Sequence, residues 1–259
     1  MQFLTKWKLI MRNNTVKTLS VAGLLTTTLL SGQAQAAIAL DRTRVILNGG
    51  DNSASMSITN KNTQLPYLAQ GWLENEQGEK INSPLIVLPP VQRVEPGAQS
   101  QVKVQALPAA KALPQDRESL FYFNLREIPP KSNKANTLQI ALQTRIKLFY
   151  RPAAIVPNKN AAYSPWQEQL TLTRQGAGFR ANNPTPYYIT LVDARSSKSG
   201  KTAAGFEPLM VPPKGSVALG ATGLGNAPVL TYVNDYGGRP DLTFKCGTGD
   251  CQVVPEKQG

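Results

Sequence analysis

The sequence predicts an all-β chain folded as two β-sandwich domains. Three observations lead there. Short β-rich runs are broken repeatedly by turn chemistry. No long segment carries apolar residues at helical spacing. The strand pattern restarts after Pro152-Ala-Ala-Ile-Val-Pro157-Asn-Lys-Asn, whose Pro and polar residues read as a linker. The chain has 259 residues, 41% of them hydrophobic, enough for packed cores.

Residues 1–36 read as an address rather than as structure. Lys6, Lys8, Arg12 and Lys17 precede an apolar stretch from Leu19 to Leu30, and Ala34-Gln35-Ala36 follows. A basic region, a short apolar region and an A-x-A site make a secretory signal peptide, with cleavage expected after Ala36. The apolar run falls short of the about 20 residues a membrane span needs. Translation starts at Met1 or at Met11; the second start gives the more ordinary leader length.

The expected strands follow in order. Ile38 to Leu47 is one run, ending at Asn48-Gly-Gly-Asp-Asn. Met56 and Ile58 alternate with serines. Tyr67 to Leu73 precedes Asn75-Glu-Gln-Gly, and Leu85 to Leu88 stops at Pro89-Pro90. Val102 and Val104 follow Glu95-Pro-Gly, Leu120 to Leu125 runs toward Pro129-Pro130, and Leu138 to Tyr150 is the longest. This is the count and size of an immunoglobulin-like sandwich, placed at 37–153. A second set comprises Trp166 to Leu172, Tyr187 to Val192, Ser216 to Leu219, Val229 to Val233 and a Leu242/Val253 pair, giving a second domain over 157–259. Gly223-Leu-Gly225 lacks the third glycine and the following helix of a dinucleotide fingerprint, and reads as a loop.

Composition removes most chemistry. The chain has no histidine, which excludes histidine-based triads, metal sites and pH switches. Two cysteines do not make a four-cysteine zinc site. No catalytic residue, metal or cofactor is expected. Asp116 with Glu118 could suggest a hydrolase, but the pair reads as surface charge near a turn. Without the leader, 24 basic residues face 16 acidic ones, a net charge of +8. Export and the lack of a dense Lys/Arg run argue against nucleic acid. Cys246 and Cys251 flank Gly-Thr-Gly-Asp and suit a disulfide across a hairpin loop in an oxidising compartment.

The run from Leu138 is longer than a typical strand of about five or six residues. Leu138, Ile140, Leu142, Thr144, Ile146 and Leu148 share one face, and Gln139, Ala141, Gln143, Arg145, Lys147 and Phe149 the other. A half-buried strand of its own sheet explains the pattern. So does a strand that projects beyond its sheet and pairs with another chain. Arg44 and Lys147 sit among strand apolars. On one cleft they would grip an anion; otherwise they are a solvated outer face.

Several long motifs in order then carry a resemblance. They are Asp41-Arg-Thr-Arg44, Gln64-Leu-Pro-Tyr-Leu-Ala-Gln70, Pro89-Pro-Val-Gln-Arg-Val-Glu-Pro-Gly97, Leu113 to Pro130, Leu138 to Pro152, and Asn234-Asp-Tyr-Gly-Gly-Arg-Pro240. Together they resemble the periplasmic chaperones of the chaperone–usher pilus pathway, of the P-pilus type. The resemblance implies two immunoglobulin-like domains arranged as a boomerang, working in the periplasm without a cofactor. It implies pilus subunits and an outer-membrane usher as partners. An exposed apolar strand could also pair with a second copy, a self-capping homo-oligomer of the free chaperone. Leu138, Ile140 and Leu142 would be inserted into an incomplete subunit as a donor strand. Arg44 and Lys147 would anchor the subunit's C-terminal carboxylate. Glu118, Arg151 and Asp235 would form an interdomain charge cluster. The short segment from Lys131 to Thr137 is similar to the short-loop subgroup. Arg195 to Thr202 and Lys214 to Gly225 match only loosely. The competing reading is a structural pilin or adhesin; two strand sets and a strand starting directly at Ile38 argue against it.

Overall fold

The computed structural model describes residues 36–134, 136–157 and 165–255. The expected leader up to residue 35 lies outside the described residues, as do most of the linker polar residues. The first half folds around one core and the second half around another.

In the first half, β1 (Ile38–Leu40), β3 (Ser53–Asn60), β8 (Gln99–Ala106) and β6 (Leu85–Leu88) form one sheet in the order β1-β3-β8-β6. The facing sheet runs β2 (Arg44–Asn48), β10 (Gln143–Arg151), β9 (Ser119–Ile128), β4 (Tyr67–Glu74), β5 (Lys80–Ile81), with β7 (Val91–Val94) also on β4. Period-two burial explains these strands: Met56 and Ile58, Ala69 and Leu73, Leu85 and Val87, Val102 and Val104 all point into one core with Phe123 and Leu148. Gly71 permits a close sheet-to-sheet approach; a Cβ there would lie 2.9 Å from Val87 Cγ1.

Two expectations for this half are corrected. Ile38 to Leu47 is not one strand. The chain breaks at Asp41-Arg42-Thr43, so that β1 pairs antiparallel with β3 while β2 crosses to the other sheet and pairs parallel with β10. The Asp41 N–H donates to the Ser57 carbonyl at 3.1 Å and its carboxylate accepts the Ser57 N–H, which holds the crossing point. Likewise, the strand expected from Leu138 begins only at Gln143. The β7 strand has little sequence signal, because its residues alternate weakly and follow two prolines.

In the second half, β11 (Thr171–Gln175), β12 (Gly178–Asn183), β13 (Ile189–Arg195), β14 (Leu209–Val211), β15 (Gly215–Ala218), β16 (Val229–Val233), β17 (Asp241–Cys246) and β18 (Asp250–Val253) form a continuous path β14-β13-β16-β17-β18-β11-β12-β15. It encloses Leu172, Phe179, Leu191, Leu230, Leu242 and Phe244. Trp166 to Gln169 is a 3-10 turn, not strand, and β13 starts two residues after Tyr187. The rings of Trp166 and Tyr187 pack on each other at 4.5 Å, tilted by 37°. The β17–β18 hairpin places Cys246 opposite Cys251, and their sulfurs are bonded at 2.00 Å.

Candidate functional site

The parallel pairing of β2 with β10 sets Lys147 directly opposite Arg44. The strands bring Val45, Leu47, Ile146 and Leu148 into the core, so the two cations emerge together on the other face. Both are half-buried, not solvated. Arg44 Nη1 donates to the Val233 carbonyl of β16 at 3.0 Å, which ties it to the second half. Its Nε is buried with no acceptor. Among the described residues no carboxylate pairs with Lys147. Burial lowers the Lys147 pKa, and the neighbouring Arg44 lowers it further. Burial also lowers that of Arg44, with Asp235 and Glu118 partly opposing it. Two partly dehydrated cations side by side repel each other and attract an anion; a carboxylate is the natural counter-charge.

The five residues before β10 belong to no sheet. The last backbone rung is the Glu127 N–H donating to the Leu142 carbonyl at 3.0 Å. Beyond it Leu142, Ile140 and Leu138 are 38%, 64% and 85% exposed. Their parity is that of Ile146 and Leu148, so the apolar row of the core continues into solvent along one edge. Gln139, on the alternate face, donates to the Pro130 carbonyl at 2.5 Å and accepts the Ser132 N–H at 3.4 Å. That side chain folds the segment back against the end of β9.

Glu118, Arg151 and Asp235 come together where the two halves meet. Arg151 donates through Nε to Glu118 Oε1 at 2.8 Å and through Nη1 to Asp235 Oδ2 at 2.8 Å. Glu118 Oε2 accepts the Tyr188 N–H at 2.8 Å, and the Glu118 N–H donates to the Pro186 carbonyl at 2.9 Å. Burial alone would lower the Arg151 pKa; Asp235 and Glu118 outweigh it, so the guanidinium stays firmly protonated. It also faces the rings of Tyr187 at 4.9 Å and Trp166 at 5.2 Å. The reading of Asp116 and Glu118 as a surface pair is corrected: Asp116 is exposed and bound to Lys214 at 2.7 Å, whereas Glu118 is buried.

Further contacts across this junction have no sequence signal. Tyr188 donates to Glu76 Oε1 at 2.8 Å and packs its ring on Phe149 at 5.7 Å. The Val233 contact of Arg44 is made by a backbone carbonyl, which no residue type marks. A polar hollow of about 520 Å³ lies elsewhere, on the second half. In it Arg195 is bound to Asp241 at 2.6 Å and to Asp193 at 3.2 Å.

Against this geometry, two family models match: the pili and flagellar-assembly chaperone PapD N-terminal domain over residues 37–156, and the pili assembly chaperone PapD C-terminal domain over residues 165–244. The probable fimbrial chaperone YfcS of Escherichia coli K12 is 54% identical over 239 residues, covering 92% of this chain and 94% of that protein. The chaperone protein PapD of Escherichia coli is 52% identical over 225 residues, covering 86% and 92%. Among solved structures, the periplasmic chaperone SfaE superposes with a TM-score of 0.61 at 31% identity, covering 80% of this chain and 98% of that one. The complex of the Salmonella enterica SafA pilin with the SafB chaperone gives a TM-score of 0.68 at 26% identity, covering 82% and 97%. Two matched family models in tandem, and relatives more than half identical along most of their length, establish that the chain belongs to the family of PapD-type pilus-assembly chaperones.

Proposed function

We propose that this pilus-assembly chaperone works in the periplasm by lending residues 138–142 to an incomplete pilus subunit as its missing strand. Arg44 and Lys147 receive the subunit's C-terminal carboxylate. The loaded chaperone then delivers the subunit to an outer-membrane usher. The observation that carries this reading is the conjunction of an unpaired, apolar, alternating segment leading into β10 with Lys147 on that strand, which lies opposite Arg44 of β2 and has no carboxylate partner among the described residues. The segment and Lys147 are one continuous piece of chain.

The energetics suit capture without a nucleotide. Burying each of Leu138, Ile140 and Leu142 stabilises a complex by roughly 1.5–3 kcal/mol gross. Ordering costs subtract from that sum. The charge-assisted bonds of the carboxylate add roughly 1.5–3 kcal/mol each and fix where the subunit ends. Glu118, Arg151 and Asp235 hold the two halves in the relation that lets Arg44 reach Val233. Free chaperone has the same exposed row, and a second copy is a substitute occupant for it.

Co-purification from periplasm tests the reading. The tagged chain, expressed with pilin genes of its source, is expected to yield a one-to-one complex that the Lys147→Ala variant loses. Folded, monodisperse wild-type protein that retains no pilin would refute it.

A further inference from the structure

Glu127 is a carboxylate the capture mechanism does not use, and it is 5% exposed. Its Oε2 accepts the Ile38 N–H at 2.9 Å. No Lys or Arg among the described residues pairs with it. A buried carboxylate without a cation is costly and calls for a partner. Ile38 is the second residue after the expected cleavage site. Consecutive backbone nitrogens lie about 3.5 Å apart, so the Ala37 nitrogen is no farther than about 6.5 Å from Oε2. Ala37 is itself fixed there, its carbonyl accepting the Lys61 N–H at 2.6 Å.

We infer that removal of the leader creates the missing cation, and that Glu127 is the binding site of the mature chain's own α-ammonium. Hydrolysis of the Ala36–Ala37 bond by an export-linked peptidase adds water: the oxygen goes to the Ala36 carbonyl carbon, which leaves as a carboxylate, and both water protons end on the Ala37 nitrogen. That nitrogen, neutral and shared in an amide before, becomes an ammonium held against Glu127 beside the Ile38 N–H. Glu127 is also the residue whose N–H holds the Leu142 carbonyl, the rung from which the free segment departs. Its side chain and backbone therefore join the start of the mature chain to the root of residues 138–142. Glu127 is a positioning residue for that segment, and this last step rests on the capture reading above. Before cleavage the carboxylate lacks its counter-charge, so processing completes the fold at this point.

The test uses the exported protein and needs no subunit. Mass and end-group analysis is expected to show a chain starting at Ala37. Carbon-13 reductive methylation followed by NMR then titrates the α-amine, whose ordinary pKa is about 7.7–8.0. The inference expects it raised by about one unit or more, and back to the ordinary range in Glu127→Gln. A chain made to start at Ala36 is expected to lose the shift, and its Glu127 amide to exchange several-fold faster. An unshifted α-amine in the wild-type processed protein overturns the inference, even if Glu127→Gln fails to fold. So does a mature chain that starts at another residue, or a Glu127 amide indifferent to the extra alanine. Failure of the processed protein to capture any pilin refutes the capture reading, whereas the amine titration alone decides whether Glu127 holds the α-ammonium.

Discussion

Arg44 and Lys147 occupy directly opposed positions of the parallel β2–β10 pair, and no carboxylate of the described residues pairs with Lys147. On the proposed mechanism, the cost of that arrangement falls on the free protein and its benefit on the complex. Arg44→Ala and Lys147→Ala are expected to weaken subunit binding by about 10- to 150-fold each, from roughly 1.5–3 kcal/mol per charge-assisted bond. Lys147→Met should not lower the melting temperature, because the lost charge was uncompensated. Titration calorimetry against a purified subunit, beside thermal melts, checks both.

Subunit binding should also depend on pH at the alkaline end. The Lys147 pKa lies below its usual value in the free protein, through burial and then Arg44. A bound carboxylate favours the charged form and raises it. Binding therefore takes up a proton between the two values. Affinity is full below the free-protein pKa and falls as pH rises through it. Calorimetry in buffers of different ionisation enthalpy detects the uptake; a proton-neutral association over that window would contradict it.

Leu138, Ile140 and Leu142 contribute little to the chaperone's own core. Serine at any one of them should cost binding roughly 1.5–3 kcal/mol, and at Leu138 or Ile140 it should leave the chemical denaturation midpoint unchanged. Leu142 is the least exposed of the three and is the one expected to show a small stability cost. Urea melts and competition binding separate the two effects.

Arg151→Ala strands Glu118, whose side chain is 2% exposed, and is expected to destabilise the protein by about 3–5 kcal/mol. Asp235→Asn should cost less, since that side chain is 25% exposed and keeps an acceptor for Arg151. Equilibrium unfolding with a probe in each half checks the ranking. In Arg151→Ala the two halves are expected to lose their common transition.

Reducing Cys246–Cys251 opens a loop closed by only five residues of separation. The chain-entropy relation gives about 2 kcal/mol for a loop this short. The effect should be confined to the β17–β18 hairpin, measured by hydrogen exchange, with subunit binding retained.

The architecture is legible because strand periodicity is a local property. Met56 with Ile58, Leu85 to Leu88 and Val229 to Val233 declare themselves by alternation and by the turn residues around them. What stays hidden depends on partners far along the chain. Nothing between Ile38 and Leu47 announces that the chain changes sheets at Asp41. Alternation from Leu138 to Leu148 is the same on both sides of Gln143, so pairing ends where no residue marks it. Residue type points to the cation pair, but its half-burial comes from the parallel register. Tyr188 with Glu76, and Glu127 with Ile38, are contacts that only the folded chain brings together.

Under the proposed capture mechanism, the parallel β2–β10 pair also makes the chaperone a ruler. Lys147 is fixed against Arg44, and every residue from there toward Leu138 advances the chain by about 3.3 Å. Extended on a bound subunit, Leu142 would stand about 16 Å from Lys147 and Leu138 about 30 Å. One inserted residue between Gln143 and Lys147 would turn all three apolar side chains away from the groove they are meant to fill. Two would turn them back, displaced by about 7 Å. On the proposed capture mechanism, subunits served by this chaperone keep a constant spacing between their C-terminus and their open groove, and β10 sets the gauge.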